Sequence, residues 1–351
     1  MKDIRCIKTI TKSDNKFYVM WALTTWCNYR CPYCFQDPAH DKWVDENILV
    51  DRAKKINNWL ISNNKNVESI SLLGGEITYY NLENILNRFT VNLKEIVITT
   101  NFSQKLDYFK NLYIYCSKRN SYLTLICSYH ENEDIFFNKY LELVKWCAEY
   151  DYPIPTVTFV VDNDFDFSIF DRYKEIPFKK INFNLRQIGD KLVVLNDEVK
   201  AKLKYITDNK HAWSNNKLIK ARLEKNKQNN ITAQKKKIYE INYFDGTKEE
   251  YGNLKDVLYQ TPKLLVAAPR YCTAAINNCF IDTEGNISIC SSNPKFIGNI
   301  DIITETKIKN TDILTCDRPT CPVCHDVNIY SNLKDLLADN HIESEEDTNE
   351  L

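Results

Sequence analysis

Trp26-Cys27-Asn28-Tyr29-Arg30-Cys31-Pro32-Tyr33-Cys34-Phe35 places three cysteines within eight residues, directly after an apolar run, Phe17–Leu23, that reads as a strand. Outward from this loop, short apolar runs alternate with longer amphipathic stretches. The further strands expected are Ser69–Leu73, Glu95–Thr99, Leu123–Ser128, Thr156–Val161 and Ile181–Leu185. Helix-like segments lie between them, among them Asp45–Ser62, Asn81–Phe89 with Asn81 as N-cap, and Asn138–Glu149. Strands alternating with helices predict βαβ units and a parallel sheet. Six units fall short of a closed eight-fold barrel. The fold class expected is therefore α/β, a partial (βα)6 TIM-like barrel.

The strand faces point to a barrel with a working interior. Period two puts Thr124, Ile126, Ser128 and His130 on one face, and Asn182, Asn184 and Arg186 on another. A central strand serving only as core reads as nearly all apolar. Polar residues here imply a lumen that holds a polar ligand, the plainer alternative being an edge strand facing solvent.

Composition narrows the function classes. The chain has 351 residues with 44% hydrophobic and 12% aromatic residues, ample for one large domain and a smaller one. A net charge of −1 gives no basic surplus, against non-specific nucleic-acid binding. No apolar run approaches the roughly 20 residues that span a bilayer. The first sixteen residues lack a continuous apolar stretch, so neither membrane nor secretion signal is expected and the localisation expected is cytoplasmic.

Thirteen cysteines, an odd number without a secretion signal, fit a disulfide framework poorly. Three form the loop, six lie between Cys272 and Cys324, and Cys6, Cys116, Cys127 and Cys147 are scattered. The scattered four read as buried small apolar residues. The clustered ones read as metal ligands. Structural zinc takes four protein ligands, often from paired C-x2-C elements. The loop offers C-x3-C-x2-C with no fourth Cys or His close by. Three thiolates instead wrap three corners of a 4Fe–4S cube and leave one iron open to chelate a small molecule.

Cys27, Cys31 and Cys34 match the C-x3-C-x-aromatic-C signature of the radical S-adenosylmethionine (SAM) superfamily, which Phe17 to about Asp190 resembles. The resemblance implies that the open iron binds SAM and that its reductive cleavage gives a 5′-deoxyadenosyl radical. It places Tyr33 beside the adenine. Leu73-Gly74-Gly75-Glu76-Ile77-Thr78 resembles the family's GGE motif, with Gly74 and Gly75 letting the backbone approach the SAM methionine and Glu76 adding a carboxylate. Ile77 departs from the proline common there. Thr99-Thr100-Asn101 and Ser128, at strand ends, correspond to positions that contact the SAM methionine and ribose; the residues by themselves are equally strand-end or capping residues.

Cys272, twelve residues, Gly285, four residues and Cys290 match the C-x(9–15)-G-x4-C element of the SPASM and twitch extensions, which bind auxiliary clusters. Hairpin signals surround Asp245-Gly246 and Glu284-Gly285. The resemblance implies one auxiliary 4Fe–4S cluster on Cys272, Cys290, Cys321 and Cys324, in a small C-terminal α+β twitch/SPASM-like auxiliary cluster domain. Cys279 or Cys316 can replace one ligand, zinc is the competing occupant, and His325 reads as a surface histidine. The domains expected are a core over 1–190, a connecting segment with a hairpin over 191–262, the auxiliary domain over 263–340 and an acidic tail over 341–351.

The reaction expected is oxidation or rearrangement of a small polar substrate, the auxiliary cluster accepting an electron. His130 and Arg186, at strand ends, are the candidates for base or substrate contact. A low-potential donor such as flavodoxin or ferredoxin is the implied partner. One alternative is a SPASM-type peptide- or protein-modifying maturase, disfavoured here because the cluster loop starts too early for a leader-binding module before it. Another is a non-catalytic zinc or Fe–S protein.

Overall fold

The runs read as strands do form one parallel sheet, and their order along the chain is their order in space. The computed structural model describes residues 7–12, 16–34, 41–63, 65–130, 133–172, 176, 180–188, 191–208, 239–243, 247–251, 270–272, 278–290, 293–302, 315–316 and 329–330. In chain order the first elements are β1 (Ile7–Lys12), β2 (Phe17–Ala22), α1 (Glu46–Ser62), β3 (Val67–Leu73), α2 (Leu82–Leu86), β4 (Glu95–Thr100), α3 (Leu106–Lys118), β5 (Tyr122–Ser128), α4 (Glu133–Glu149), β6 (Thr156–Val161), α5 (Ile169–Arg172) and β7 (Ile181–Leu185). Then come β8 (Gln187–Ile188), β9 (Lys191–Leu192), α6 (Asp197–Asp208), β10 (Tyr239–Tyr243), β11 (Lys248–Tyr251), β12 (Arg270–Cys272), β13 (Asn278–Ile281), β14 (Asn286–Cys290), β15 (Asn293–Asn299), β16 (Thr315–Cys316) and β17 (Ile329–Tyr330).

The chain divides into two compact units, one of Trp21–Asn57 with Ser69–Ala233 and one of Met1–Met20, Asn58–Glu68 and Gln234–Leu351. In the first, the strand order runs from the end of β2 (Trp21-Ala22) through β3-β4-β5-β6-β7, with β3 to β7 paired in parallel. A doubly wound sheet reverses its strand order; this one never does, which is the winding of a (βα) barrel. Six strands are too few to close it, as the sequence leads one to expect.

Which face of each strand is core follows from its side chains. Ile96, Ile98, Leu123, Leu125, Cys127, Val157, Phe159 and Val161 are buried. So are Phe109, Leu112, Tyr113 and Cys116 of α3 and Phe137, Tyr140, Leu143 and Cys147 of α4. Three of the four scattered cysteines thus belong to the core, and Cys6 lies outside the described residues. Burial pushes the Cys116 thiol up to about 12 and that of Cys127 well above its ordinary value.

The opposite face is polar. Parallel register aligns Thr99 with Ile126 and Thr156, and Ser128 with Thr158 and Asn182. Paired residues share a side of the sheet, so these rows lie together on the face away from Ile98, Leu125 and Phe159.

In the other unit, β11-β10-β1-β17-β12-β16 form a six-stranded sheet, with β10 and β11 antiparallel from Tyr239↔Tyr251 to Asn242↔Lys248. Strands β13, β14 and β15 form an antiparallel meander. Its first turn is Glu284-Gly285, where Gly285 takes φ 80° and the Asp282 carboxylate accepts from the Glu284 and Asn286 amides at 2.8 and 2.9 Å. Both expected hairpins are present; Asp245-Gly246 itself lies outside the described residues. So do most of 209–238 and the acidic end.

Candidate functional site

The three-cysteine loop leaves the C-terminal end of β2 and is tied down on two sides. On the first, the Lys42 carbonyl accepts from Thr24 Oγ1 at 2.7 Å and from the Thr25 and Trp26 amides at 3.2 Å each. Trp26 packs edge-on against Trp43 and Tyr79, at 5.4 and 5.1 Å between centroids. Further along, Arg30 donates to the Cys27 carbonyl, and Cys34 N donates to Cys31 O at 3.1 Å.

On the second side stands Gly74-Gly75-Glu76. Gly75 N donates to Thr24 O and Glu76 N to Trp26 O, both at 2.8 Å. This pairing sets why both residues are glycine. A Cβ on Gly75 would lie 1.9 Å from Trp26 O, and one on Gly74 2.4 Å from Thr24 O, where φ is also +146°. The glycines are needed for the approach of one backbone to another. Ile77 starts a 3-10 turn (Ile77–Tyr79) and is fully buried.

Glu76 has no exposed surface, and its carboxylate is an internal tie. Oε1 accepts from Thr78 N (3.1 Å), Thr78 Oγ1 and Thr100 Oγ1 (2.8 Å), and Oε2 accepts from Asn101 N (2.6 Å). Burial nonetheless raises the carboxyl above its ordinary value, the four donors opposing it.

Asn101 links this tie to the loop. Its Nδ2 donates to Asn28 Oδ1 at 2.8 Å and approaches Cys27 Sγ at 3.6 Å, while Oδ1 accepts from Ser103 N at 3.0 Å. Because the oxygen is taken by a backbone N–H, the amide cannot be flipped, and a donor faces the sulfur. Tyr29 N donates to the same sulfur at 3.4 Å. Burial pushes the Cys27 thiol up, Tyr29 N pulling it back and Glu76 adding to the rise.

His130 sits over the other end of the loop. Its Nδ1 lies 3.2 Å from Cys31 Sγ and 3.0 Å from Tyr33 Oη, and its ring stacks on Tyr33 at 5.9 Å and 15°. Burial pulls it down to about 4, so the imidazole is neutral near pH 7. A neutral Nδ1 donates to the sulfur or accepts from the phenol, one at a time. Ser128 is half-buried in the lumen row of β5. Arg186 lies apart, donating to Asp162 Oδ2 at 2.9 Å and from its amide to Val161 O at 2.9 Å. Thus Cys27, Cys31, Tyr33, Gly75, Glu76, Thr100, Asn101 and His130 are joined by contacts, and Arg186 is not among them.

Among the described residues no three His, Cys, Asp or Glu side chains converge on a point as a single ion requires. A four-iron cube makes a different demand, since its thiolates sit at separate corners. The loop's donor set fits it: three thiols, the first already facing two N–H donors.

Of the second cysteine set, Cys272 ends β12 and Cys316 ends β16 in the six-stranded sheet, while Cys290 ends β14 in the meander. Cys279 on β13 is buried, its thiol pushed up to about 12 by burial, with Lys65 acting the other way. Cys321, Cys324 and His325 lie outside the described residues. No described helix is long and apolar enough to cross a membrane.

Sequence reasoning singled out Asn101 for another contact and passed over Thr24 and Trp26, whose carbonyls receive the glycine strand. Crowding of this kind leaves its trace only in the glycines themselves.

No protein-family model matches the chain, and no curated protein matches it. Solved structures of Streptococcus suis SuiB are similar to it at low identity. One shares 15% identity over 85% of this chain and 63% of SuiB, with a TM-score of 0.48. One bound to S-adenosylmethionine shares 16% over 82% and 64%, at 0.49, and one bound to the precursor peptide SuiA shares 16% over 85% and 62%, at 0.36. The chain spans less than two thirds of SuiB in each.

Proposed function

We propose that this chain is a radical SAM enzyme in which Cys27, Cys31 and Cys34 hold the SAM-binding 4Fe–4S cluster. The observation that carries the reading is the seating of the loop: at the C-terminal mouth of the parallel strands, Gly75, Glu76 and Asn101 grip it by backbone and by the amide on Cys27 Sγ. When bound, such a cluster supplies the electron that cleaves SAM reductively to a 5′-deoxyadenosyl radical, which takes a hydrogen atom from the substrate. Asn101 and Tyr29 offset the charge of the Cys27 thiolate, and Glu76 keeps Thr100 and Asn101 in place. Tyr33, Gly74 and Ser128 border the space left for SAM. A second cluster on Cys272, Cys290, Cys321 and Cys324, and a flavodoxin or ferredoxin as donor, belong to the same proposal.

For the substrate we take a peptide or protein side chain. The two groups considered for a small molecule are engaged elsewhere, His130 on the loop and Arg186 on Asp162. The loop is exposed at Asn28, Arg30 and Pro32, beside the thiols proposed to carry the cluster, a surface that suits a chain segment. A small polar substrate is the second reading, favoured by the polar row Ser128, Thr158 and Asn182 across one face of the sheet. SuiA is a peptide bound by SuiB; the likeness is too distant to transfer any contact.

The test is anaerobic reconstitution followed by reduction in the presence of SAM. Wild type is expected to form 5′-deoxyadenosine and Cys27→Ala to form none; equal amounts would defeat the proposal. Co-purification with a short precursor peptide supports the peptide reading. Transfer of deuterium from a labelled small molecule into 5′-deoxyadenosine would replace it with the second.

A further inference from the structure

Phe102 adopts φ 60°, a left-handed conformation costly for an aromatic residue. Such strain persists only where the surroundings over-determine it, and it gathers at functional sites. Here the surroundings can be named. The ring is buried, 4.4 Å from Phe109 and 5.6 Å from Phe136. Phe102 N donates to Thr100 Oγ1 at 2.9 Å. On the other side stands Lys139 of α4. Its ammonium donates to the Phe102 carbonyl and to the Gln104 carbonyl (3.0 Å), and lies 4.5 Å from the Phe102 ring centroid.

An ammonium on two backbone carbonyls is an unusual use of a half-buried lysine, because the carbonyls carry no charge to repay its desolvation. What it fixes is the segment between β4 and α3. That segment carries Asn101, immediately before the strained residue. Turning Phe102 to the ordinary φ region would swing its carbonyl off Lys139 and rotate the Asn101 peptide with it. The Asn101 side chain, clamped between Ser103 N and the cluster loop, would follow.

We propose that Lys139 is a positioning residue for the cluster loop: by holding the Phe102 and Gln104 carbonyls it keeps Asn101 Nδ2 on the Cys27 sulfur. The proposal rests on the reading of Cys27 as a cluster ligand. A donor hydrogen bond to a ligating sulfur stabilises the reduced, more negative cluster. Loss of Lys139 then acts on the cluster through Asn101 and by no contact of its own.

Two measurements on the full chain decide it. Amide hydrogen exchange on cluster-free protein compares wild type with Lys139→Met and Lys139→Arg. Exchange over Asn101–Ser103 is expected to be about tenfold faster in Lys139→Met, the loss of charge-assisted hydrogen bonds amounting to at least that factor, and to be restored in Lys139→Arg. Unchanged protection in β5 and α3 shows that the variant is folded; Lys139→Gln replaces it if it is not, with the same expectation. On reconstituted protein, Lys139→Met and Asn101→Leu should both move the cluster midpoint potential to more negative values. The double variant should move it no further than the larger single shift. Wild-type exchange in Lys139→Met, or potential shifts that add, would overturn the proposal. If wild type takes up no cluster, the proposed function fails, and the exchange result alone decides the role of Lys139.

Discussion

Replacing Gly75 by alanine tests whether crowding between two backbones shapes the cysteine loop. The added carbon would stand 1.9 Å from Trp26 O, 2.5 Å from Trp26 C and 2.7 Å from Thr25 O, all backbone atoms that no rotamer change can move aside. An ordinary carbon–oxygen approach is about 3.3 Å, so the strands must part by about 1.4 Å. Overpacking of this kind costs about 1–3 kcal/mol. The parting also breaks Gly75 N–Thr24 O and Glu76 N–Trp26 O, at about 1 kcal/mol each. The sum, about 3–5 kcal/mol, is a large share of a stability of about 5–15 kcal/mol. Urea unfolding of cluster-free protein reads it through tryptophan fluorescence, Trp26 lying on the loop and Trp43 packed against it. The midpoint should fall with the slope unchanged, and 5′-deoxyadenosine formation should be lost. A loss of stability under about 1 kcal/mol would refute the reasoning, since the loop would then yield without resisting.

Three further outcomes are expected. Burial holds the Glu76 carboxyl above its ordinary 4.5, so the folded chain keeps this proton longer than the unfolded one. Its contribution is fully present below 4.5 and is lost as pH rises through the folded value. Glu76→Gln should abolish that part of the slope and cost about 1–3 kcal/mol, an amide now facing one of the N–H donors; parallel stability–pH curves would contradict this. In cluster-free protein, iodoacetamide followed by peptide mass mapping should label exposed Cys34 first and the half-buried Cys27 later, with Cys116, Cys127 and Cys147 labelled only on unfolding. Arg186→Gln breaks a part-exposed ion pair with Asp162 and should cost no more than about 1 kcal/mol in thermal or urea unfolding.

The sheet was legible because its signal is local. Thr156–Val161 and Ile181–Leu185 are read to the residue, since β-branched and aromatic runs between helical stretches admit one interpretation. The start of α4 was not, because Glu133-Asp134-Ile135 precedes the apolar face and its pattern is mixed. The cysteine loop and the glycine pair were legible as motifs. What the glycines touch was not, because Thr24 and Trp26 are brought to them by strand pairing. His130 was placed by alternation in the lumen, and its contact with Cys31 depends on how the loop folds back over the strand ends. Lys139 gave no signal at all. A lysine on an amphipathic helix reads as solvated, and its partners are carbonyls, which every residue possesses.

The grip of Gly75, Glu76 and Asn101 on the loop bears on the order of assembly. Small zinc modules are shaped by their ion and are unfolded without it. Here the Cys27 end of the loop is set by backbone pairing with Gly75 and Glu76 and by the Asn101 amide just after β4, all made of protein. The chain therefore presents its first thiol in place through protein contacts alone, with donors from Tyr29 and Asn101 already facing it. On the proposed function, delivery of the cluster is then a late event on a finished scaffold, and protein produced without iron should be recoverable, folded and competent to be loaded afterwards.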